Sequence, residues 1–349
     1  MAKLKDIAAY LNISVSTVSR VVNNQDRVDP DTRKRVLEAL KKYDYLPDEN
    51  ARSLKTNTSN VLGVIVPDIA NPFFAAVIKG IECGAAKAGF SVIVCNTDGS
   101  REREQSAIHL LLRQKVAGLI AATTLGGADV RKHYLALGRP VVFFDNLPAV
   151  DQEINSVTIN NRRAARELTE FLLRQGHRRV FLIAGPAGES SADERLLGWQ
   201  DALRAAGIAA GADWSASGDF REASGSRIMT GFLERAIAEQ PTAVLVANNF
   251  MAYGAVKAIR AAGLTIPDDL SLAAFDVVDA SGLMNPQITT IVQPAEEIGI
   301  IAAELCLQAR STAGTTGTAG TTGTAGIRLG RRLVLEHLFQ ANGSVQQNA

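Results

Sequence analysis

The chain has 349 residues, 46% of them hydrophobic and 21% charged, and a formal net charge of +1. This is the composition of a globular protein of two or three folding units, without the overall basic signature of a nucleic-acid coat. No segment offers the roughly 18 uninterrupted apolar residues of a membrane span, and Lys and Asp stand where an apolar leader would be, so a cytoplasmic chain is expected.

Charge is unevenly spread. Residues 1–60 hold 11 Lys and Arg against 8 Asp and Glu, a net of +3, which leaves the remainder at −2. Within that basic end, Leu4, Ile7, Ala8 and Leu11 recur at helical spacing. Asn12-Ile13-Ser14 breaks the pattern, with Ser14 placed to cap a second helix in which Val18, Val21 and Val22 face inward. Val15, Ser16, Ser19 and Arg20 are left facing outward. Two short helices joined by a three-residue turn predict a helix-turn-helix, whose second helix fits the DNA major groove. On periodicity alone an ordinary helical hairpin is as good a reading.

Asn23 to Asp26 makes a turn, and Asp29-Pro30-Asp31-Thr32 opens a third helix with Val36, Leu37, Leu40 and Tyr43 at core spacing. Tyr45-Leu46-Pro47 stops it. The following segment, Ala51 to Lys55, is too short to hold a helix in water by itself, and Thr56 to Asn60 is a polar linker.

From Val61 strands and helices alternate. Strand runs at Val61–Pro67, Ser91–Cys95, Gly118–Ala121 and Pro140–Phe144 are separated by helical stretches, and after Val157-Thr158-Ile159 the alternation restarts. Later strands are expected at Val180–Ala184, Ala243–Val246 and Leu270–Phe275. Such alternation predicts parallel sheets covered on both faces, here in two similar doubly wound lobes. Ligands of such sheets bind beyond the carboxyl ends of the strands. Those ends carry Asp68, Asp98, Asp145-Asn146, Pro186, Asn248-Asn249 and Asp276, which describe a cleft for a small polar molecule. Near the end, the Thr/Gly repeat at 312–326 has no apolar side chain beyond alanine and is expected to be a flexible loop. Leu329 to Phe339 reads as one further strand, followed by a flexible tail at 341–349.

The three cysteines lack metal-ligand spacing, and each is expected to fill core. The four histidines, His109, His133, His177 and His337, show no triad or metal spacing. His177, in a helix-to-strand turn, reads as structural. There is no Gly-x-Gly-x-x-Gly turn and no phosphate-binding loop, which argues against an enzyme on this sheet.

Lys5-Asp6-Ile7-Ala8, Ser16 to Asn23, Tyr45-Leu46-Pro47, Ala51 to Lys55, Asn71-Pro72-Phe73-Phe74, Leu197-Gly198-Trp199 and Pro286 to Ile291 occur in an order that resembles the LacI/GalR family of bacterial transcription regulators, in its ribose/purine repressor-like form. The resemblance covers nearly the whole chain. It implies an all-α headpiece at 1–46, a hinge helix and linker at 47–60, and a periplasmic-binding-protein-like α/β domain at 61–340. The first lobe would comprise about 61–158 and 292–326, the second about 161–289 and 327–340, with crossings near Ile159, Ile291 and Leu329.

The resemblance further implies a homodimer on double-stranded DNA with a near-palindromic operator. Val15, Ser16 and Arg20 would face base edges, Arg20 suiting guanine; Lys5, Thr17, Ser19 and Asn23 complete the headpiece contacts. Ala51, Leu54 and Lys55 would belong to the hinge helix, Leu54 wedging into the minor groove. Phe73, Phe74, Asp145, Arg195, Phe220, Asn248, Asp276 and Gln293 would hold a small sugar or sugar-acid effector, with no metal, cofactor or catalytic residue. A purine is the alternative effector, and a sugar-binding protein without DNA the alternative function. Where the family often reads Asn-Asp this chain has Asn248-Asn249, and where Gly-Tyr-Asp-Asp is common it has Ala274-Phe275-Asp276-Val277.

Overall fold

The computed structural model describes residues 3–22, 28–45, 59–151, 153–235, 241–279, 282–314 and 330–348. It divides into two compact units, Met1–Ser59 and Asn60–Ala349.

The first unit packs three helices, α1 (Leu4–Leu11), α2 (Val15–Val22) and α3 (Pro30–Lys42), around Ile7, Ala8, Val18, Val21, Val36 and Ala39. Only four of these are large, and each fully buried side chain of that size contributes roughly 1.5–3 kcal/mol, so the helix ends matter as well. Asn12 ends α1 in the left-handed region at φ 55°. Ser14 Oγ accepts from Thr17 N at 3.1 Å, the expected cap of α2. Asp29 accepts from Thr32 N at 3.0 Å ahead of Pro30, whose missing N–H leaves nothing unpaired in the first turn of α3. One core residue differs from expectation: Leu37 is 47% exposed and Ala39 is buried in its stead. The inward stripe of α3 runs Val36, Ala39, Leu40, Tyr43, and Leu37 lies one helical step off it. The expected turn at Asn23, the stop at Leu46-Pro47, and the segment with Ala51, Leu54 and Lys55 lie outside the described residues.

The second unit is built on two six-stranded sheets. The first comprises β1 (Val61–Val66), β2 (Ser91–Asn96), β3 (Gly118–Ala121), β4 (Val141–Phe144), β5 (Asn155–Ile159) and β11 (Arg332–Leu335), in the order β11-β5-β4-β3-β1-β2. The second comprises β6 (Val180–Ala184), β7 (Ser215–Ser217), β8 (Ala243–Val246), β9 (Ser271–Phe275), β10 (Thr289–Val292) and β12 (Leu338–Gln340), in the order β12-β10-β9-β8-β6-β7. All described pairings are parallel except β12 against β10. Each lobe therefore repeats one doubly wound order, with its switch point between the first and third strands (β1 and β3; β6 and β8).

The strands read as unbroken apolar runs because both faces are covered. Leu62, Val64 and Val66 point into one cluster with Ile120, Val142 and Phe144, while Ile65 points through to Leu119, Ala121 and Phe143 on the other face. The second sheet divides the same way, Ile183 and Val246 to one side and Leu182 and Leu245 to the other.

The chain crosses between lobes after β5, after β10 and between β11 and β12. The last crossing corrects the expected layout. Arg332–Leu335 pairs in register with Ser156–Ile159 on the first sheet, and only Leu338–Gln340 joins the second. The single expected strand is thus two, broken at Glu336-His337. That break is held by Arg163 Nη1 to Glu336 Oε1 at 3.1 Å and His337 Nε2 to Glu167 Oε2 at 2.9 Å.

The end of the chain is also more ordered than expected. Ser344 is fully buried; its Oγ donates to Leu272 O at 2.5 Å and accepts from Thr289 N at 2.8 Å. Such bonds anchor a segment with almost no apolar content. His177 takes part, Nε2 facing Gln346 O at 3.1 Å and Nδ1 facing Thr242 Oγ1 at 2.9 Å, and burial lowers its pKa. The long helix Ala295–Gly314 runs into the first residues of the Thr/Gly repeat, and 315–329 lie outside the described residues. Of the cysteines Cys306 is buried, Cys95 half-buried and Cys83 exposed, so Cys83 fills no core. No described helix is long and apolar enough to cross a membrane.

Candidate functional site

The carboxyl ends of both sets of strands open onto one cavity of about 850 Å³, within the range of small-molecule sites. Phe73, Phe74, Asp145, Arg195, Phe220, Asn248, Asp276 and Gln293 all line it. Phe73 and Phe74 come from the first turn of the helix after β1, α4 (Pro72–Lys87), capped by Asn71 Oδ1 accepting from Phe73 N at 3.0 Å. Their rings meet edge to face at 5.1 Å, and Phe74 also packs on Phe144 at 6.2 Å, so it belongs to cavity wall and core at once.

Opposite them stands Arg195, on the helix after β6, only 3% exposed. Its Nε donates to Asn161 Oδ1 at 2.9 Å, its Nη1 to Ala247 O at 2.5 Å, and its guanidinium lies 4.1 Å over the Phe275 ring. Burial alone would favour losing the charge; Asp145 and Asp276 act against that. Burial pushes the Asp145 carboxyl up to about 6, opposed by Arg195 and reinforced by Asp276. Asp276 is raised by burial too, against the pull of Arg195 and of Gln293, which donates Nε2 to Oδ2 at 2.7 Å and N to Oδ1 at 2.9 Å. A buried cation and two carboxylates on one cavity wall, the cation with one face on an aromatic ring, suit a molecule rich in hydroxyl groups. Gln293 Oε1 is buried without a hydrogen-bond partner and lines the same cavity.

The backbone is bent to present these groups. Among the described residues seven non-glycine residues have positive φ, and four of them, Asp98 (51°), Asp145 (58°), Phe220 (63°) and Asp276 (57°), line the cavity. Strain of this kind persists where surrounding structure holds it. For Phe220 the hold is visible: Asn248 Nδ2 donates to Phe220 O at 2.8 Å while Asn248 Oδ1 caps the helix α10 (Asn249–Ala261) through Met251 N at 3.0 Å. The Phe220 ring lies against Gly185, where any Cβ would collide with it.

Sequence reasoning missed several lining residues, among them Arg103, Thr123-Thr124, Glu189, Asp219 and Arg221. Thr123-Thr124 follows β3 and the strand-end rule could have found it. Glu189 opens a helix, and its carboxyl is pushed up to about 7 by burial and then by the nearby Asp145. Behind the wall, Glu104 is fully buried and accepts from Thr123 Oγ1 (2.5 Å), Thr124 N (2.9 Å), Thr124 Oγ1 (2.8 Å) and Tyr134 OH (2.7 Å). No periodicity distinguishes such a glutamate from a surface one. Among the described residues no cluster of His, Cys, Asp and Glu could hold a metal ion.

On α2 of the smaller unit, Val15 is 42% exposed, Ser16 and Arg20 are exposed, and Thr17 and Ser19 are half-buried. Lys5 is exposed on α1. Thr17 Oγ1 lies 2.8 Å from Ser14 Oγ and so belongs to the turn. Asn23, Ala51, Leu54 and Lys55 lie outside the described residues.

Residues 3–48 match the family described as bacterial regulatory proteins, lacI family, and residues 59–333 match periplasmic binding proteins and sugar binding domain of LacI family. The chain belongs to the LacI family. It is 36% identical over 306 residues to the HTH-type transcriptional repressor CytR of Escherichia coli (strain K12), covering 88% of this chain and 89% of that protein. The structure resembles that of the Lac repressor dimer bound to operator and the anti-inducer ONPF, with a TM-score of 0.83, 30% identity and 99% of each chain covered. It also resembles a LacI family transcriptional regulator from Enterococcus faecium with bound ribose, TM-score 0.69, 26% identity, over 83% of this chain and all of that one. As a LacI-family member this chain is a DNA-binding transcription regulator and not an enzyme.

Proposed function

We propose that this LacI-family regulator is a cytoplasmic repressor that binds a near-palindromic operator as a homodimer and answers to a small, neutral, hydroxyl-rich effector in the cavity. The observation that carries the effector reading is Arg195, buried on the Phe275 ring in a cavity wall shared with Asp145 and Asp276. This set offers acceptors and a donor to adjacent hydroxyls, and the ribose-bound relative supports it. The cavity lining holds six carboxylates (Asp68, Asp98, Asp145, Glu189, Asp219, Asp276) against three guanidiniums, which favours a neutral sugar over a sugar acid. Phe73, Phe74 and Phe220 also suit the face of a purine, the second reading.

Val15, Ser16 and Arg20 are the proposed base readers, with Lys5, Thr17, Ser19 and Asn23 at phosphates or the turn. Ala51, Leu54 and Lys55 are proposed as hinge contacts. Fluorescence anisotropy with DNA from upstream of the chain's own coding sequence, with ribose, other sugars, sugar acids and purines added in turn, tests the whole reading. Specific binding at moderate salt, altered by a neutral sugar, is expected. Absence of DNA binding under every condition would move the sugar-binding alternative to the front.

A further inference from the structure

One wall of the cavity joins the two lobes through a pair of side-chain amides that neither motif nor strand-end reasoning assigned as a unit. Asn71 precedes α4 in the first lobe, and Asn249 begins α10 in the second. Asn71 Nδ2 donates to Asn249 Oδ1 at 3.1 Å, and Asn249 Nδ2 donates back to Asn71 Oδ1 at 2.9 Å. The two residues are 8% and 1% exposed.

Their orientation is dictated by the helices they start. Asn71 Oδ1 also accepts from Phe73 N at 3.0 Å, and Asn249 Oδ1 from Phe250 N at 2.8 Å. Each oxygen must face the backbone donor of its own helix, which leaves each nitrogen to reach across the cleft. Two further bridges run between the lobes. Asn146 Oδ1 accepts from Ser190 N at 2.6 Å and from Ser190 Oγ at 2.9 Å, with Leu147 N donating back to Ser190 Oγ at 2.7 Å, and Arg221 Nη2 donates to Asp98 O at 2.8 Å on the exposed rim. The amide pair differs from both in having both partners buried.

We propose that Asn71 and Asn249 are positioning residues, a charge-neutral clasp that holds the cleft shut and so keeps Phe73 and Phe74 facing Arg195 and Asp276. The consequence for an effector rests on reading the cavity as its site; the clasp itself does not. Chemistry explains why asparagine is needed at both positions. An aspartate at 249 keeps one oxygen on Phe250 N but turns its second oxygen toward Asn71 Oδ1, an acceptor facing an acceptor. Asn71 cannot rotate to answer it without abandoning Phe73 N.

Hydrogen–deuterium exchange on the full chain tests this without any ligand, so the clasp can fail or stand independently of the effector titration. Asn249→Asp and Asn71→Asp each preserve size and the local helix cap while removing one donor across the cleft. Each variant should exchange about fivefold to tenfold faster than the unmodified chain in both segments 69–77 and 248–256, the loss expected for one buried hydrogen bond. The decisive reading is in the lobe that was not mutated. Acceleration confined to the mutated lobe, or none in either, overturns the proposal.

Discussion

Arg20 in the helical unit and Arg195 in the larger one sit in opposite surroundings. Arg20 projects from α2 into solvent, whereas Arg195 is 3% exposed and fixed by Asn161, Ala247 and the Phe275 ring. A surface guanidinium can be spent wholly on a partner, because the fold does not lean on it. A buried one is part of the fold first, and presents to a ligand only the side its neighbours leave over. Recognition of DNA and recognition of an effector are therefore separable by mutation to different degrees.

The largest effect should come from Arg195→Leu. It removes the donors held by Asn161 Oδ1 and Ala247 O and the cation over the Phe275 ring, and each buried acceptor left unpaired costs about 1–3 kcal/mol. Urea unfolding of the larger unit should register it, together with loss of any effector response. Arg20→Ala should weaken specific operator binding by about 1–3 kcal/mol while leaving the unfolding midpoint unchanged; anisotropy and urea unfolding on one preparation would show whether the two separate.

A smaller effect is expected from pH. Asp145 at about 6 and Glu189 at about 7 have folded values raised above their unfolded ones, so their contribution to stability is present at low pH and is lost as pH rises through 6 to 7. His177, lowered by burial, acts in the other direction, its contribution being lost as pH falls below its unfolded value. The double variant Asp145→Asn/Glu189→Gln should therefore lose less stability than the unmodified chain between pH 5 and 8, by on the order of 1 kcal/mol given the partial exposure of both groups. Urea midpoints at four pH values would sink the idea if the two curves ran parallel. Least of all should follow from Leu37→Lys. At 47% exposed, Leu37 should change stability by no more than about 0.5 kcal/mol, where Val36→Ala, in the same turn and fully buried, should be clearly destabilising. Equal losses would mean that the helical unit packs differently.

What the sequence made legible follows a physical rule. Runs such as Val61–Val66 and Val180–Ala184 announce themselves because strands covered on both faces admit only apolar residues, and the polar residues just past them then mark the cavity. Where burial is one-sided or absent, the signal fades. Arg332–Leu335 is an edge strand with three exposed residues, so nothing in its pattern separates it from Leu338–Gln340 or shows that the two join different sheets. The end of the chain is anchored by hydrogen bonds through Ser344 and its neighbours, and hydropathy does not see hydrogen bonds. Glu104 escaped for the same reason, its burial being made acceptable by four donors from two separate segments, Thr123-Thr124 and Tyr134. Cys83 and Leu37 failed in the reverse sense, as apolar types read into the core that lie on the exposed side of their helices.

The late strands also govern how this chain can be made. Because β11 completes the edge of the first sheet and β12 that of the second, neither lobe is a contiguous stretch of polypeptide. During synthesis on a ribosome, the first sheet has its strands β1 to β5 long before its outer edge exists, and that edge emerges together with the one for the second sheet. The two lobes therefore finish together, and a message cut short before residue 332 would yield two sheets that each lack a border, each open to pairing with the wrong chain.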